Sequence, residues 1–268
     1  MIVPNPCLYN ALLLLLLSIV AVSNAVNNNG NEPSSISQKQ VTVTPYQYLD
    51  SEEIKNTLLE LSQQYPELTT VTTSQDLFNL TTAGTAADCP FDHGDPKAIN
   101  PVDNSSAVNA GCKNWFLRIE DSVQHPIGSE SWKSLPEVFL SGELHGDERV
   151  GPTTVVETAK LLLKAAHCES LPRDSNSADV ASNEEAKQCR LDLANAGIYN
   201  RTRKWLSRLV STRRIIILPT ANALGYYRNE RVENGMDPNR DFPFDLTNSN
   251  MCMRTIAGRT INELFREH

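Results

Sequence analysis

The chain has 268 residues, 40% of them apolar and 21% charged, with a formal net charge of -8. That length allows one sizeable core, or one core with a small appendage, at an ordinary soluble composition. No run of lysine and arginine forms a long basic stripe, which argues against a nucleic-acid partner, because neutralising phosphates takes concentrated cations.

The first segment reads as a secretory signal covering residues 1–25. "ALLLLLLSIVAV", Ala11 to Val22, is too short to span a bilayer comfortably. Ser23 and Ala25 then supply small residues at the -3 and -1 positions of a cleavage site. The region before it has no lysine or arginine, and the alternative is an uncleaved anchor. No later apolar run is long enough for a transmembrane helix, so stable membrane insertion is not expected. Asn79-Leu80-Thr81, Asn104-Ser105-Ser106 and Asn200-Arg201-Thr202 are N-glycosylation sequons and agree with secretion.

Residues 26–43 are polar and aperiodic and read as a flexible mature N-terminus, ahead of a domain over residues 44–268. "LDSEEIKNTLLELSQQYP" predicts a helix. Asp50 and Glu53 form a capping box, Ile54, Leu58, Leu59 and Leu61 form the apolar stripe, and Pro66 lies past the end. "LTTVTT" predicts a strand. Residues 79–113 are rich in Gly, Pro, Asn and Asp and read as a surface insertion. His93 within it reads as a solvent-exposed loop histidine, with metal ligation as the alternative.

"NWFLRIED" and "PEVFLSGE" predict two more strands, and Pro152 to Ala166 a helix. Residues 167–190 read as a second polar insertion. "IYNRTRKWLSRLV" predicts a basic amphipathic helix, "RRIIILPT" a strand covered on both faces, and the end of the chain another helix. Alternating strands and helices imply an α/β fold with a mixed, largely parallel sheet flanked by helices. Without Cys7, five cysteines remain, an odd number. Cys89 with Cys112 and Cys168 with Cys189 each bracket a loop-like stretch and are expected to pair, which leaves Cys252 without a partner.

Two stretches carry chemistry. In "SGELHGDERVGP", His145 and Glu148 follow a strand end at a spacing that turns both toward one point, and an imidazole with a carboxylate suits zinc. The bland alternative is a surface histidine beside a helix-start carboxylate. In "ILPTANALGYYRNERVENGMDPNRDFPFD", a long polar loop after a buried strand holds Arg228, Arg231, Asn239 and Arg240. Arginines on an ordered loop suit a two-pronged grip on a carboxylate, or the stabilisation of an oxyanion. The alternative there is a solvated, charged turn.

Taken together, "HGDERVGP", the "IIILPTAN" strand and "DPNRDFPFD" resemble the zinc metallocarboxypeptidases of the carboxypeptidase A, B and E type, from about Tyr46 to the end of the chain. The resemblance implies a mixed sheet flanked by helices, with the site at the C-terminal strand ends. It implies hydrolysis of the C-terminal peptide bond of peptides or proteins with Zn2+ as cofactor. His145 and Glu148 match the first two zinc ligands, and Asn239 and Arg240 the pair that grips the substrate's terminal carboxylate. Arg231, with Arg228 as the alternative, matches the arginine that polarises the scissile carbonyl. Departures are Pro238 between Asp237 and the Asn-Arg pair, and "NALG", Asn222 to Gly225, where many members have "NPDG".

The resemblance also requires a third zinc ligand and a general-base glutamate farther on, and neither is assigned within this chain. His268 follows Arg240 too closely for the family pattern. The expectation is therefore an incomplete catalytic domain whose sheet lacks its last strands. Two other readings stand beside it. One is a catalytically inactive carboxylate-binding protein. The other is a zinc acylase acting on a small acidic molecule, which the "DPNRDFP" stretch and the signal disfavour. Side-chain specificity and oligomeric state are not legible.

Overall fold

A computed structural model of the chain describes residues 47–93, 110–171, 180–242 and 253–266. The signal, the mature N-terminus, Asn104, Cys252 and His268 lie outside the described residues. Helix α1 (Ser51–Gln64) begins at the expected capping box, with Asp50 accepting from the Glu53 N–H and Glu53 accepting from the Asp50 N–H, both at 2.8 Å. Ile54, Leu58 and Leu61 are buried, whereas Leu59 is half-buried on the flank of the stripe.

Strands β1 (Thr69–Thr73), β2 (Trp115–Ile119), β3 (Glu137–Ser141) and β4 (Arg214–Leu218) make one sheet in the order β1-β2-β4-β3. β1 with β2 and β2 with β4 are antiparallel, and β3 with β4 is parallel. The sheet is mixed, as expected. Among the described residues, however, its parallel character rests on the β3–β4 pairing alone, and β3 forms one edge.

From Ile215 to Leu218, β4 is apolar because both of its faces are covered. Ile215 and Ile217, with Leu117 and Ile119 of β2, join α1, α4 (Val150–Ser170) and α6 (Asn200–Thr212) in the larger core. Ile216, Leu218 and Phe116 face the other way, against Ile261 and Leu264 of α8 (Ile256–Arg266). The period-two alternation of a strand thus sorts each side chain into one of two cores.

Two stretches differ from the expectation. Residues 167–190 are mostly helical rather than an insertion: α4 runs to Ser170, and α5 covers Val180–Asn195. "SNEEAKQCRLDLAN" is built of good helix formers without a sustained apolar stripe, so its periodicity conceals its helicity. The loop after β4 is likewise broken by α7 (Ala223–Arg228) and by a 3-10 turn at Pro238–Arg240. Both expected disulfides form, Cys89–Cys112 and Cys168–Cys189, the second tying α4 to α5. Ala83, Cys89 and Cys112 of the first insertion pack with Leu224 and Ile256 in a small core of their own. His93 is half-buried there, its Nε2 lying 3.1 Å from the Asp88 carbonyl.

Candidate active site

The parallel register sets Ser141 of β3 beside Leu218 of β4, so the segments leaving these two strand ends are neighbours. That is the usual ligand crevice of such sheets. The β3 segment carries His145 and Glu148, and the β4 segment leads through α7 to Arg231, Asp237, Asn239 and Arg240. Glycine lets the two backbones touch. A Cβ on Gly146 would lie 2.0 Å from the Gly225 carbonyl carbon and 2.3 Å from the Tyr226 nitrogen. Gly146→Ala is therefore expected to lower stability by roughly 2–3 kcal/mol, measured by urea unfolding, because the obstruction is backbone on both sides. An unchanged midpoint would mean that the segments do not cross here.

His145 is buried, and both ring nitrogens face oxygen. Nδ1 lies 3.0 Å from Glu148 Oε1, and Nε2 lies 3.1 Å from Asp237 Oδ1. Glu148 itself is largely open to solvent. Two donors about 2.0–2.2 Å from one tetrahedral zinc sit about 3.4 Å apart, so this pair fits two ligands with little adjustment. If zinc were held on Nδ1, Nε2 would carry the proton and donate it to Asp237, the carboxylate partner that metal-bound histidines commonly have, and the Arg231 N–H that faces Nε2 would then turn to Asp237 alone. No group of three or more His, Cys, Asp or Glu side chains that could hold a metal occurs among the described residues.

Arg231 closes the cluster. One terminal nitrogen is 2.9 Å from His145 Nε2 and 3.2 Å from Asp237 Oδ2. For Asp237, partial burial pushes the carboxyl up. Hydrogen bonds from the Asn239 N–H, Arg231 and His145 outweigh it and hold the group below the usual carboxylate range. Asp237 also accepts the Asn239 N–H at 2.9 Å, which folds the 3-10 turn. Pro238 starts that turn, where its fixed φ suits the conformation and no N–H is required. The turn holds Asn239 and Arg240 exposed, with one Arg240 nitrogen donating to the Asn239 carbonyl.

Arg228, the alternative to Arg231, points elsewhere. Its guanidinium makes a two-pronged pair with buried Asp88 at 2.9 and 3.0 Å. The structure thus brings His145, Glu148 and Arg231 together, places Asn239 and Arg240 on the adjoining turn, and engages Arg228 in binding the disulfide-closed insertion.

Sequence reasoning missed four supporting residues. Asp237 was visible only as a neighbour of the Asn-Arg pair. Buried Asn222 caps α7 through the Gly225 N–H, donates its own N–H to Glu143 at 3.0 Å, and bonds the Arg231 carbonyl. Asn222 and Gly225 are the two positions "NALG" shares with "NPDG". Glu143 is buried, which pushes its carboxyl up to about 8. Glu233 is pushed up by burial too, and accepts the N–H groups of Ile256 and Ala257 at the start of α8. A carboxylate whose partners are backbone amides brought from distant segments leaves no spacing signal.

Residues 110–263 match the zinc carboxypeptidase family model, more than half of the chain. The chain belongs to the zinc carboxypeptidase family. Among solved structures it is similar to a carboxypeptidase A from Helicoverpa armigera, at 18% identity and a TM-score of 0.39 over 83% of this chain and 43% of that one. It is also similar to thrombin activatable fibrinolysis inhibitor, at 10% identity and a TM-score of 0.43 over 82% of this chain and 44% of that one. The chain thus spans less than half the length of either. No curated protein matches it. No helix among the described residues is long and apolar enough to cross a membrane.

Proposed function

We propose that this member of the zinc carboxypeptidase family is made in the secretory pathway, through the signal at residues 1–25, and acts on the free C-termini of peptides or proteins. The observation that carries the reading is His145 held between Glu148 on Nδ1 and Asp237 on Nε2. His145 and Glu148 would hold zinc, which would lower the pKa of its water and polarise the scissile carbonyl. With zinc bound, Asp237 would orient the imidazole and hold its proton on Nε2. Asn239 and Arg240 grip the terminal carboxylate, Arg240 through its fork of N–H groups. Arg231 donates to the oxygen on which negative charge develops as the carbonyl is attacked. The two described disulfides support an oxidising compartment.

A second reading, carboxylate binding without hydrolysis, is favoured by one observation: no third metal ligand joins His145 and Glu148 among the described residues. Zinc titration by calorimetry, with hydrolysis of a blocked dipeptide assayed alongside, separates the two. His145→Ala is expected to abolish zinc binding, and Asp237→Asn to weaken it about 10–100-fold. Zinc-dependent release of the C-terminal residue supports the enzyme. Zinc uptake without hydrolysis, but with peptide binding lost in Arg240→Ala, supports the second reading. Zinc uptake unaffected by His145→Ala sinks the enzyme reading, and peptide binding unaffected by Arg240→Ala sinks the second.

A further inference from the structure

Helix α6 has two unlike faces. Its inner face, Arg203, Leu206 and Val210, is buried against the core. Its outer face carries Arg201, Lys204, Trp205 and Arg208, all exposed. These positions recur at three- and four-residue intervals and so form one stripe along the helix. At 1.5 Å per residue the cations at Arg201 and Arg208 are about 10 Å apart. No ion pair or side-chain hydrogen bond holds Arg201, Lys204 or Arg208 among the described residues, and α6 contains no acidic residue. The carboxylates that give the chain its charge of -8 lie on other segments.

Trp205 is 50% exposed in the middle of this stripe. With Arg208, Leu209, Thr212 and Arg213 it lines a shallow pocket of about 230 Å³. An aromatic ring flanked by guanidinium groups offers a platform for an apolar ring face and forks for planar anionic groups. We propose that the outer face of α6 binds an anionic polysaccharide, with sulfate or carboxylate groups on the cations and a sugar ring on Trp205. Charge complementarity selects a polyanion. A lipid surface fits less well, because the apolar face that an interfacial helix would insert is buried in the core. A nucleic acid fits less well because the two disulfides agree with the oxidising secretory pathway proposed above. The inference does not depend on hydrolysis.

The test uses the full chain with N-linked glycans trimmed enzymatically, since the Asn200 sequon opens the same helix. Retention on immobilised heparin is measured against salt, and affinity by polarisation of a labelled heparin oligosaccharide. Binding should fall as salt rises, with a log–log slope of about -2 to -3 for two to three displaced counterions. Lys204→Glu with Arg208→Glu should lower affinity at least tenfold and flatten that slope. Trp205→Ala should lower affinity severalfold at an unchanged slope, because no charge is lost. Lys133→Glu, an exposed and ion-paired site on α3 (Glu130–Lys133), should elute with the wild type. All these sites are exposed, so melting temperatures should stay together. The proposal is overturned if the double reversal elutes with the wild type, or if Lys133→Glu weakens binding equally. It is also overturned if phosphatidylserine vesicles or single-stranded DNA bind more tightly than heparin.

Discussion

From about pH 5 to about pH 9 the metal-free fold is expected to lose stability as pH rises, and Glu143→Gln is expected to remove most of that loss. Burial raises the Glu143 carboxyl from 4.5 to about 8, against one favourable hydrogen bond from the Asn222 N–H. Its second oxygen is buried without a partner among the described residues. The folded chain therefore keeps a proton that the unfolded chain releases above the ordinary carboxylate range. With more protons bound to the native state, stability falls with pH through that window and levels off above about 8. At 1.36 kcal/mol per unit the full effect is about 5 kcal/mol.

Glu233, also raised by burial, acts in the same direction. Asp88, held low mainly by its hydrogen bond from Arg228, acts in the opposite direction and only in acid, where stability falls with its protonation. The measurement is urea unfolding of wild type and Glu143→Gln across this range with a chelator present. Near pH 5 the variant should be equal to or slightly weaker than the wild type, because an amide brings an extra N–H to a site with an orphaned atom. Near pH 9 it should be the more stable by several kcal/mol. A wild-type curve flat across the range would show that the carboxyl is not buried as described.

How much of this was readable in the chain depends on the range of the interactions. The α1 capping box joins residues three apart, and the strand at Arg214–Leu218 announces its two-sided burial by an unbroken apolar run. His145, Glu148, Asn239 and Arg240 were legible as motif residues, and the choice of Arg231 over Arg228 rested on spacing to "DPNR". The structure separates the two arginines in a way the sequence does not carry: Arg231 lies beside His145, and Arg228 is engaged by Asp88, far away along the chain. Glu143, Asn222 and Glu233 were illegible for the same reason: each meets partners contributed by another segment. Helix α5 was hidden differently, because its stability depends on a disulfide and a few buried contacts rather than on an apolar stripe.

Arg203→Ala is expected to lower stability by about 3 kcal/mol. Its Nε donates to Glu169 Oε1 at 2.6 Å, and the two side chains are only 8% and 10% exposed. A second nitrogen donates to Asn200 at 3.1 Å and so braces the helix start. Removing the guanidinium takes its charge-assisted bond from a carboxylate that is only 10% exposed, which costs more than the pair gains over apolar residues. The sign of the double variant separates these quantities. Arg203→Met combined with Glu169→Met should recover most of the stability, whereas each single change should not. Thermal and urea unfolding of the four species gives the coupling directly. If Arg203→Ala costs no more than the exposed Arg208→Ala, the pair is solvated and α6 is held by Leu206 and Val210 alone. A full cost with recovery in the double variant shows that Arg203, alone among the basic residues of α6 in being buried, docks the helix on the core through Glu169.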